Sequence, residues 1–211
     1  MDMPEKAHQS AAREYDRLAP IYEERWSSYI EASIAATERR LALEPAGQLL
    51  DVGCGTGRLL ARLRQSHPEW ELTGTDLSTG MLDVAHRRLD DEVSLARAPA
   101  EQLPFANATF DVLVSTSAFH YIPDPARALA EMRRVLRPGA RLLITDWCRD
   151  YLSMRALDRW LRWRDPAHFR TWTARELKAM LNTAGFETIA IERYRISPFW
   201  GLMSATARAP R

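Results

Sequence analysis

Leu49-Leu50-Asp51-Val52-Gly53-Cys54-Gly55-Thr56-Gly57-Arg58-Leu59-Leu60 is the stretch that decides the fold. A short apolar run, Gln48 to Val52, carries a carboxylate at its end, Asp51. Three glycines follow at alternate positions, and a helical pattern then begins with Leu59, Leu60 and Leu63 on one face. Strand, glycine turn and helix in this order form the entry to a nucleotide-type pocket. Glycine reaches backbone angles closed to other residues and lets a ligand lie against bare main chain. The amides that open the helix are free to face a negative group.

The spacing excludes two common pockets. The place of the third glycine of a dinucleotide fingerprint holds Arg58, and the Gly-Lys-Ser/Thr ending of a phosphate loop is absent. The pattern that is present, Asp-x-Gly-x-Gly-x-Gly over residues 51–57, resembles the first motif of the class I S-adenosylmethionine (SAM)-dependent methyltransferases. That resemblance implies that Asp51, Gly53, Cys54, Gly55 and Gly57 border the cofactor.

On the C-terminal side, Glu71 to Asp76 reads as a second strand ending in a carboxylate. Asp76 stands roughly 20 residues beyond the last glycine, the separation of a ribose-binding acid in a βαβ unit. A carboxylate accepts from both ribose hydroxyls, and such charged bonds are the stronger ones. Capping of the helix that begins near Ser78 is the other use for this side chain. Leu77 and Met81 are placed to pack on the adenine, whereas Leu82, Ala85 and Leu89 read as core. A third short strand is expected over Val93 to Arg97.

Ala98-Pro99-Ala100-Glu101-Gln102-Leu103-Pro104-Phe105 is similar to the family phrase Gly-Asp-Ala-Glu-x-Leu-Pro-Phe. The resemblance implies an adenine contact from the Ala100 amide. Pro99 replaces the acid that receives the adenine amino group, so that contact does not come from position 99; its loss and its replacement by Glu101 are the two alternatives. Phe110 to Ser115 reads as a fourth strand buried on both faces, with Ser115 at the end where ligands bind in open sheets. The loop Thr116 to Asp124 carries Phe119 and His120 as candidate acceptor contacts. His120 is able to exchange a proton, and a purely structural role is the alternative. A helix over Pro125 to Arg137, stopped by Pro138-Gly139, and a fifth strand over Arg141 to Asp146 follow. Glu131 to Gly139 also resembles the subgroup phrase and reads as scaffold.

Trp147 to Trp172 differs from the rest. It holds Trp147, Tyr151, Trp160, Trp163, Phe169 and Trp172 among six arginines and His168. It stands where this fold inserts an element that covers substrate, with Trp147, Trp160 and Arg164 as candidate acceptor contacts. A surface helix with arginine stems over tryptophans is the plainer alternative. Thr173-Ala174-Arg175-Glu176 is a capping box for a last helix, which Gly185 ends. Thr188 to Tyr194 and Trp200 to Ala207 read as two final strands. Their link, Arg195 to Phe199, is too short for a parallel crossover, so the last strand runs antiparallel or leaves the sheet.

On the N-terminal side, Lys6 to about Leu43 reads as helical, divided at Pro20. Tyr15-Asp16-Arg17-Leu18-Ala19-Pro20-Ile21-Tyr22 resembles the Tyr-Asp-x-x-Ala-x-x-Tyr entry segment of a methyltransferase subgroup. That subgroup includes the ubiquinone and menaquinone C-methyltransferases and many natural-product enzymes. The resemblance implies that Tyr15 or Tyr22 helps to close the SAM pocket. It extends over roughly residues 10–207.

The expected architecture is a doubly wound, Rossmann-like α/β sheet of seven strands, the last antiparallel, with an N-terminal helical lid. One domain is expected over 1–211: a helical cap (1–44), a SAM-binding core (45–146), an acceptor-side cap (147–172) and the last helix with a closing hairpin (173–211). The activity implied is methyl transfer from SAM, leaving S-adenosylhomocysteine, to an oxygen, nitrogen or carbon nucleophile of a small apolar or aromatic acceptor, with arginines to meet an anionic group. An RNA methyltransferase and a non-catalytic SAM-binding regulatory or partner subunit are the alternatives.

Composition is consistent with this. The chain has 211 residues, 46% of them hydrophobic, and a formal net charge of +1. That balance points to no DNA partner and argues against RNA. Two cysteines, Cys54 and Cys148, make neither a disulfide framework nor a zinc spacing, and no metal is expected. Met1 to Arg13 lacks an apolar signal core, and no run is long enough to span a bilayer, so a cytoplasmic protein is expected.

Overall fold

The structure is a computed structural model that describes residues 3–41, 46–165 and 168–211. The elements in chain order are α1 (Met3–Leu18), α2 (Tyr22–Glu38), β1 (Gly47–Val52), α3 (Arg58–Ser66), β2 (Trp70–Asp76), α4 (Thr79–Arg88), β3 (Ser94–Arg97) and β4 (Phe110–Thr116). Then come α5 (Pro125–Val135), β5 (Leu136–Trp147), α6 (Leu152–Arg164), α7 (Ala174–Thr183), β6 (Glu187–Arg195) and β7 (Gly201–Arg208). The strands form a seven-stranded sheet in the order β3-β2-β1-β4-β5-β7-β6. All neighbours from β3 to β5 are parallel, while β7 lies antiparallel between β5 and β6. The five-residue link thus produces a hairpin, as its length requires, with β6 as the outer strand.

Each face of the sheet has its own core. Leu50, Leu113, Leu142 and Ile144 point to the side covered by α5 and α7, where Leu129, Met132, Leu177 and Leu181 meet them. Leu49, Leu72, Val112, Val114 and Leu143 point to the other side, beneath α2, α3 and Met154 of α6. This is the period-two alternation of strands covered on both faces.

Two sequence-based bounds are corrected. The helix expected to reach Arg137 stops at Val135, and the strand expected from Arg141 starts at Leu136. Pro138 disfavours a helical residue before it, and Leu136 already pairs with Phe110 of β4. The expected helical end near Leu43 lies outside the described residues. Pro20 separates two helices as expected, the first of them 16 residues long.

α1 is tied across the C-terminal edge of the sheet. Asp16 accepts hydrogen bonds from the Ser78 hydroxyl (2.7 Å) and the Gly80 amide (2.8 Å). A Cβ on Gly80 would come within 3.0 Å of the Asp16 main chain, so glycine there permits the close approach. The N-terminal helices therefore form a lid over the ends of β1, β2 and β4.

Candidate functional site

Two adjoining cavities open under this lid. The first, about 840 Å³ with its open mouth, lies over the glycine turn. Its floor is Val52, Gly53, Gly55, Asp76 and Leu77, its sides are Ser78, Met81 and Ala98 to Glu101, and its roof is Tyr15 and Tyr22. A small chamber beside it is lined by Asp51, Cys54, Arg58 and Ser117.

The three glycines have different tasks. Gly53 (φ 77°) sits against Ala118, where an added Cβ would lie 2.4 Å from the alanine Cβ. Gly57 (φ 73°) opens α3 and packs on Ala85 of α4 and on Leu89 just beyond its end. A Cβ on Gly55 would meet nothing within 4 Å, because that residue faces the cavity. Gly57, expected at the cofactor, is instead a packing glycine that lines neither cavity.

Asp76 half-emerges at the cavity floor. Its Oδ2 accepts from the Gly55 amide and its Oδ1 from the Ser78 amide, each at 2.9 Å. Burial pushes its carboxyl upward and these amides pull against it. The capping alternative falls to Ser78, whose hydroxyl accepts from the Met81 amide. Asp51 is buried, with Oδ1 lacking any hydrogen-bond partner. Burial, with Asp76 close by, pushes its carboxyl from 3.8 up to about 8. A buried carboxyl without partners facing a chamber ionises only at a cost unless a ligand supplies donors or positive charge. SAM carries an ammonium and a sulfonium, so the donor set fits it.

Leu77, Met81, Ala100 and Glu101 line the first cavity as the sequence suggests. Glu101 is buried, bonded to the His8 ring (3.0 Å) and to the Asp124 amide (3.2 Å). His8 is a site residue that no sequence signal announced. Arg134 fastens the loop from below, donating to the carbonyls of Leu103 and Phe105 and to Glu131. Pro99 also lines the cavity. Glu101→Ala is expected to weaken SAM binding by roughly tenfold, the size of one hydrogen bond to a charged group, whereas Pro99→Asp is expected to strengthen it. Calorimetry on both variants checks this. Unchanged affinity in Glu101→Ala would remove Glu101 from adenine recognition.

Ser115 is fully buried within β4 and lines neither cavity; Thr116 and Ser117 hold that place. Ser117 has a left-handed backbone (φ 57°) that turns the chain out of the strand. Phe119 also departs from expectation. It is 1% exposed and packs in the α5 core, because the 3-10 turn Phe119–Tyr121 sends it inward.

The second cavity is walled by aromatic residues: Tyr15, Tyr22, Trp26, Tyr29, Tyr121, Trp147, Trp160 and Trp200. Trp147 donates its indole N–H to the Tyr29 hydroxyl (2.7 Å), which also bonds Ser117 (2.6 Å). Trp160 and Arg164 stand at the rim. Tyr15, Tyr22, Ser117 and Tyr121 line both cavities and so form their common wall. Burial holds the phenols of Tyr15 and Tyr121 well above their usual range and that of Tyr22 at about 12, so all three stay neutral donors.

His120 lies in this second cavity, stacked on Trp147 with centroids 4.0 Å apart and planes 16° from parallel. Its Nδ1 is 2.6 Å from Asp146 Oδ1. Asp146 is held in turn by the amides of His120 (2.8 Å) and Trp147 (2.6 Å). An ionised carboxylate only accepts, so Nδ1 donates to it, and in the neutral ring Nε2 is the accepting nitrogen. Nε2 is buried with no partner. Asp146, the end of β5, was not singled out in the sequence, although a strand-end acid next to a candidate loop is the signal that could have found it. A second pair, His168 Nε2 with Asp158 Oδ1 at 3.0 Å, pins the loop after α6 to that helix. Burial alone would raise the Asp158 carboxyl, but bonds from His168 and Thr171 outweigh it and hold it at about 2.

This parallel sheet with one reversed strand, with a glycine turn beneath a ribose-type acid, defines the class I SAM-dependent methyltransferase fold. Residues 50–144 match the family described as "Methyltransferase domain". An O-methyltransferase of Pyrenophora dematioidea is 34% identical over 80% of this chain and 68% of its own length. A malonyl-[acyl-carrier protein] O-methyltransferase of Hahella chejuensis is 39% identical over 64% of this chain and 46% of its own. The chain belongs to the SAM-dependent methyltransferases, and it spans about half to two thirds of the length of these curated relatives. Among solved structures, the [4+2]-cyclase SpnF superposes with a TM-score of 0.78 over 96% of this chain and 97% of its own, at 22% identity. That likeness shows the fold alone.

Proposed function

We propose that the protein transfers the methyl group of SAM to a small apolar or aromatic acceptor seated in the second cavity. The observation that carries this is the common wall of Tyr15, Tyr22, Ser117 and Tyr121 between the nucleotide cleft and the aromatic cavity. Across such a wall two ligands would meet end to end. SAM, when bound, supplies an electrophilic methyl on a sulfonium centre. Asp76 would hold its ribose, Leu77 and Met81 its adenine faces, Ala100 and Glu101 the adenine edge, and Asp51 its ammonium end. The aromatic walls orient the acceptor and exclude water, the main demands of an in-line displacement. His120 Nε2, oriented by the Asp146 contact on the other ring nitrogen, would take the proton of an acceptor that arrives as O–H or N–H. Arg164 at the rim is free to meet an anionic group on it. Both cysteines are buried and unpaired, which suits a reducing compartment such as the cytoplasm. A screen of metabolite extracts with labelled SAM, read by mass spectrometry, tests the reading. Transfer only to large polar or polymeric acceptors would overturn it.

A pH dependence follows from Asp51. Its carboxyl is raised in the ligand-free fold, so that fold binds a proton the unfolded chain releases near pH 4. Stability of the free protein therefore falls as pH rises from about 4 through about 8. Cationic SAM favours the ionised form, so its binding should expel a proton and tighten as pH rises from 6 to 8. Calorimetry in buffers of different ionisation heat reads the released proton. Asp51→Asn is expected to abolish the release, and an unchanged proton count in that variant would acquit Asp51.

A further inference from the structure

α6 turns an apolar stripe toward solvent. Leu152, Ala156 and Trp163 follow one another at helical spacing along its outer side, with Trp160 beside them. Leu152 is 76% exposed, Trp160 54% and Trp163 78%. Phe199, 47% exposed, is drawn alongside because the Ser153 hydroxyl donates to its carbonyl at 2.7 Å. Exposed aromatics grouped in this way mark an interaction surface, where single ones would not.

The stripe is flanked by cations. Arg155, Arg159 and Arg162 lie along one side and Arg164 along the other, its guanidinium 5.6 Å from the Trp163 ring centre. Among the described residues, only Arg162 of these four has a carboxylate within ion-pair distance, Asp158 at 3.9 Å. Arg155, Arg159 and Arg162 also line an open groove with Trp163, Arg149 and Thr173, whose wall holds two acids, Asp150 and Asp158. Arg58, Arg62, Arg88 and Arg134, by contrast, are each paired with an acid. α6 itself carries four arginines against one aspartate, in a chain whose net charge is only +1.

We propose that this face docks the protein on an anionic lipid surface, with Leu152, Trp160 and Trp163 entering the headgroup boundary and the arginines meeting lipid phosphates. A helix with bulky apolar residues on its outer side and arginines around them is built to lie in that interface. A second copy of this chain is a poor occupant, since a symmetric contact would set the same four arginines of each copy against each other. Separately protruding tryptophans demand matching pockets in a protein partner but none in a fluid bilayer. No described helix is long and apolar enough to cross a membrane, so the contact is peripheral. Leu157, Trp160, Leu161 and Arg164 also wall the aromatic cavity. Docking would set the cavity mouth at the bilayer surface, where an apolar acceptor dissolves. That last step rests on the acceptor reading above; the docking itself does not.

The test is flotation of the full chain with vesicles of phosphatidylglycerol in phosphatidylcholine, against phosphatidylcholine alone. Binding to the anionic vesicles that falls with added salt is expected, with tryptophan fluorescence quenched by brominated acyl chains. Arg155→Gln and Arg159→Gln should each lower the partition roughly fivefold, and Trp163→Ser should lower it and remove most of the quenching. SAM affinity by calorimetry should stay constant in all three, which confirms their fold and keeps this test separate from the methyl-transfer reading. Failure of the unaltered chain to float at low salt would overturn the proposal, as would equal partition of the unaltered and altered chains. A homodimer dispersed by Trp163→Ser, or capture of α6 by an acidic carrier protein in preference to vesicles, would also overturn it.

Discussion

His120→Gln is expected to lower turnover by about 10²–10⁴-fold, the usual contribution of a positioned base, with SAM affinity unchanged. The expectation rests on three features of one side chain. Nδ1 is committed to Asp146 at 2.6 Å, Nε2 has no partner, and the ring is clamped against Trp147 inside the aromatic cavity. A buried imidazole nitrogen that lines the cavity and has no partner is explained if the acceptor fills it. Glutamine retains bulk and polarity but cannot take up a proton, so it is a cleaner change than Asp146→Asn, which would also disturb two backbone amides. An acceptor that is already ionised should lose far less than one that arrives protonated. Equal turnover by both proteins across the pH range would show that the acceptor needs no base and that His120 is a structural residue.

The nucleotide half of this site was legible because its demands are local. A strand end, a turn with left-handed backbone and a helix start must follow each other within a dozen residues, so the glycines and Asp76 reveal themselves by spacing. Even there the division of labour was hidden. Whether a glycine spares room for a ligand or for a neighbouring side chain depends on what packs across from it, and Gly57 faces α4, some thirty residues away in sequence. Ser115 and Thr116 could not be ranked until the pleat of β4 was fixed. Phe119 and His120 are consecutive, and only the 3-10 turn decides which of them enters the core. The acceptor half was less legible because it is assembled from afar. His120 and Asp146 are 26 residues apart, and in the nucleotide half the one pair that escaped the sequence, His8 and Glu101, is 93 apart. Such pairs leave no periodic trace. The reversed β7, by contrast, followed from the shortness of one link, since chain length is a constraint that a sequence states outright.

The second large effect concerns Asp76. Asp76→Asn is expected to weaken SAM binding by about 1.5–3 kcal/mol, roughly ten- to a hundredfold, the size of a charge-assisted hydrogen bond. In the structure this carboxylate has two tasks. Each oxygen accepts one main-chain amide, Gly55 or Ser78, which ties the glycine turn of β1 to the start of α4. The half-exposed carboxylate also faces the first cavity, where a ribose would present two hydroxyl donors. Asp76→Ala would remove both tasks and confound loss of ligand with loosening of the turn. Asparagine keeps one accepting oxygen and the shape, so most of its effect falls on the ligand. It also removes the negative charge that helps to hold the Asp51 carboxyl at about 8. In Asp76→Asn the proton released by Asp51 on SAM binding should therefore appear at lower pH. Two calorimetric readings on one variant then separate the possibilities. Weaker binding with the release moved to lower pH places Asp76 at the ribose and beside Asp51. Unchanged affinity with an intact thermal transition would leave it as a turn clamp, and the ribose would have to be held by another donor set.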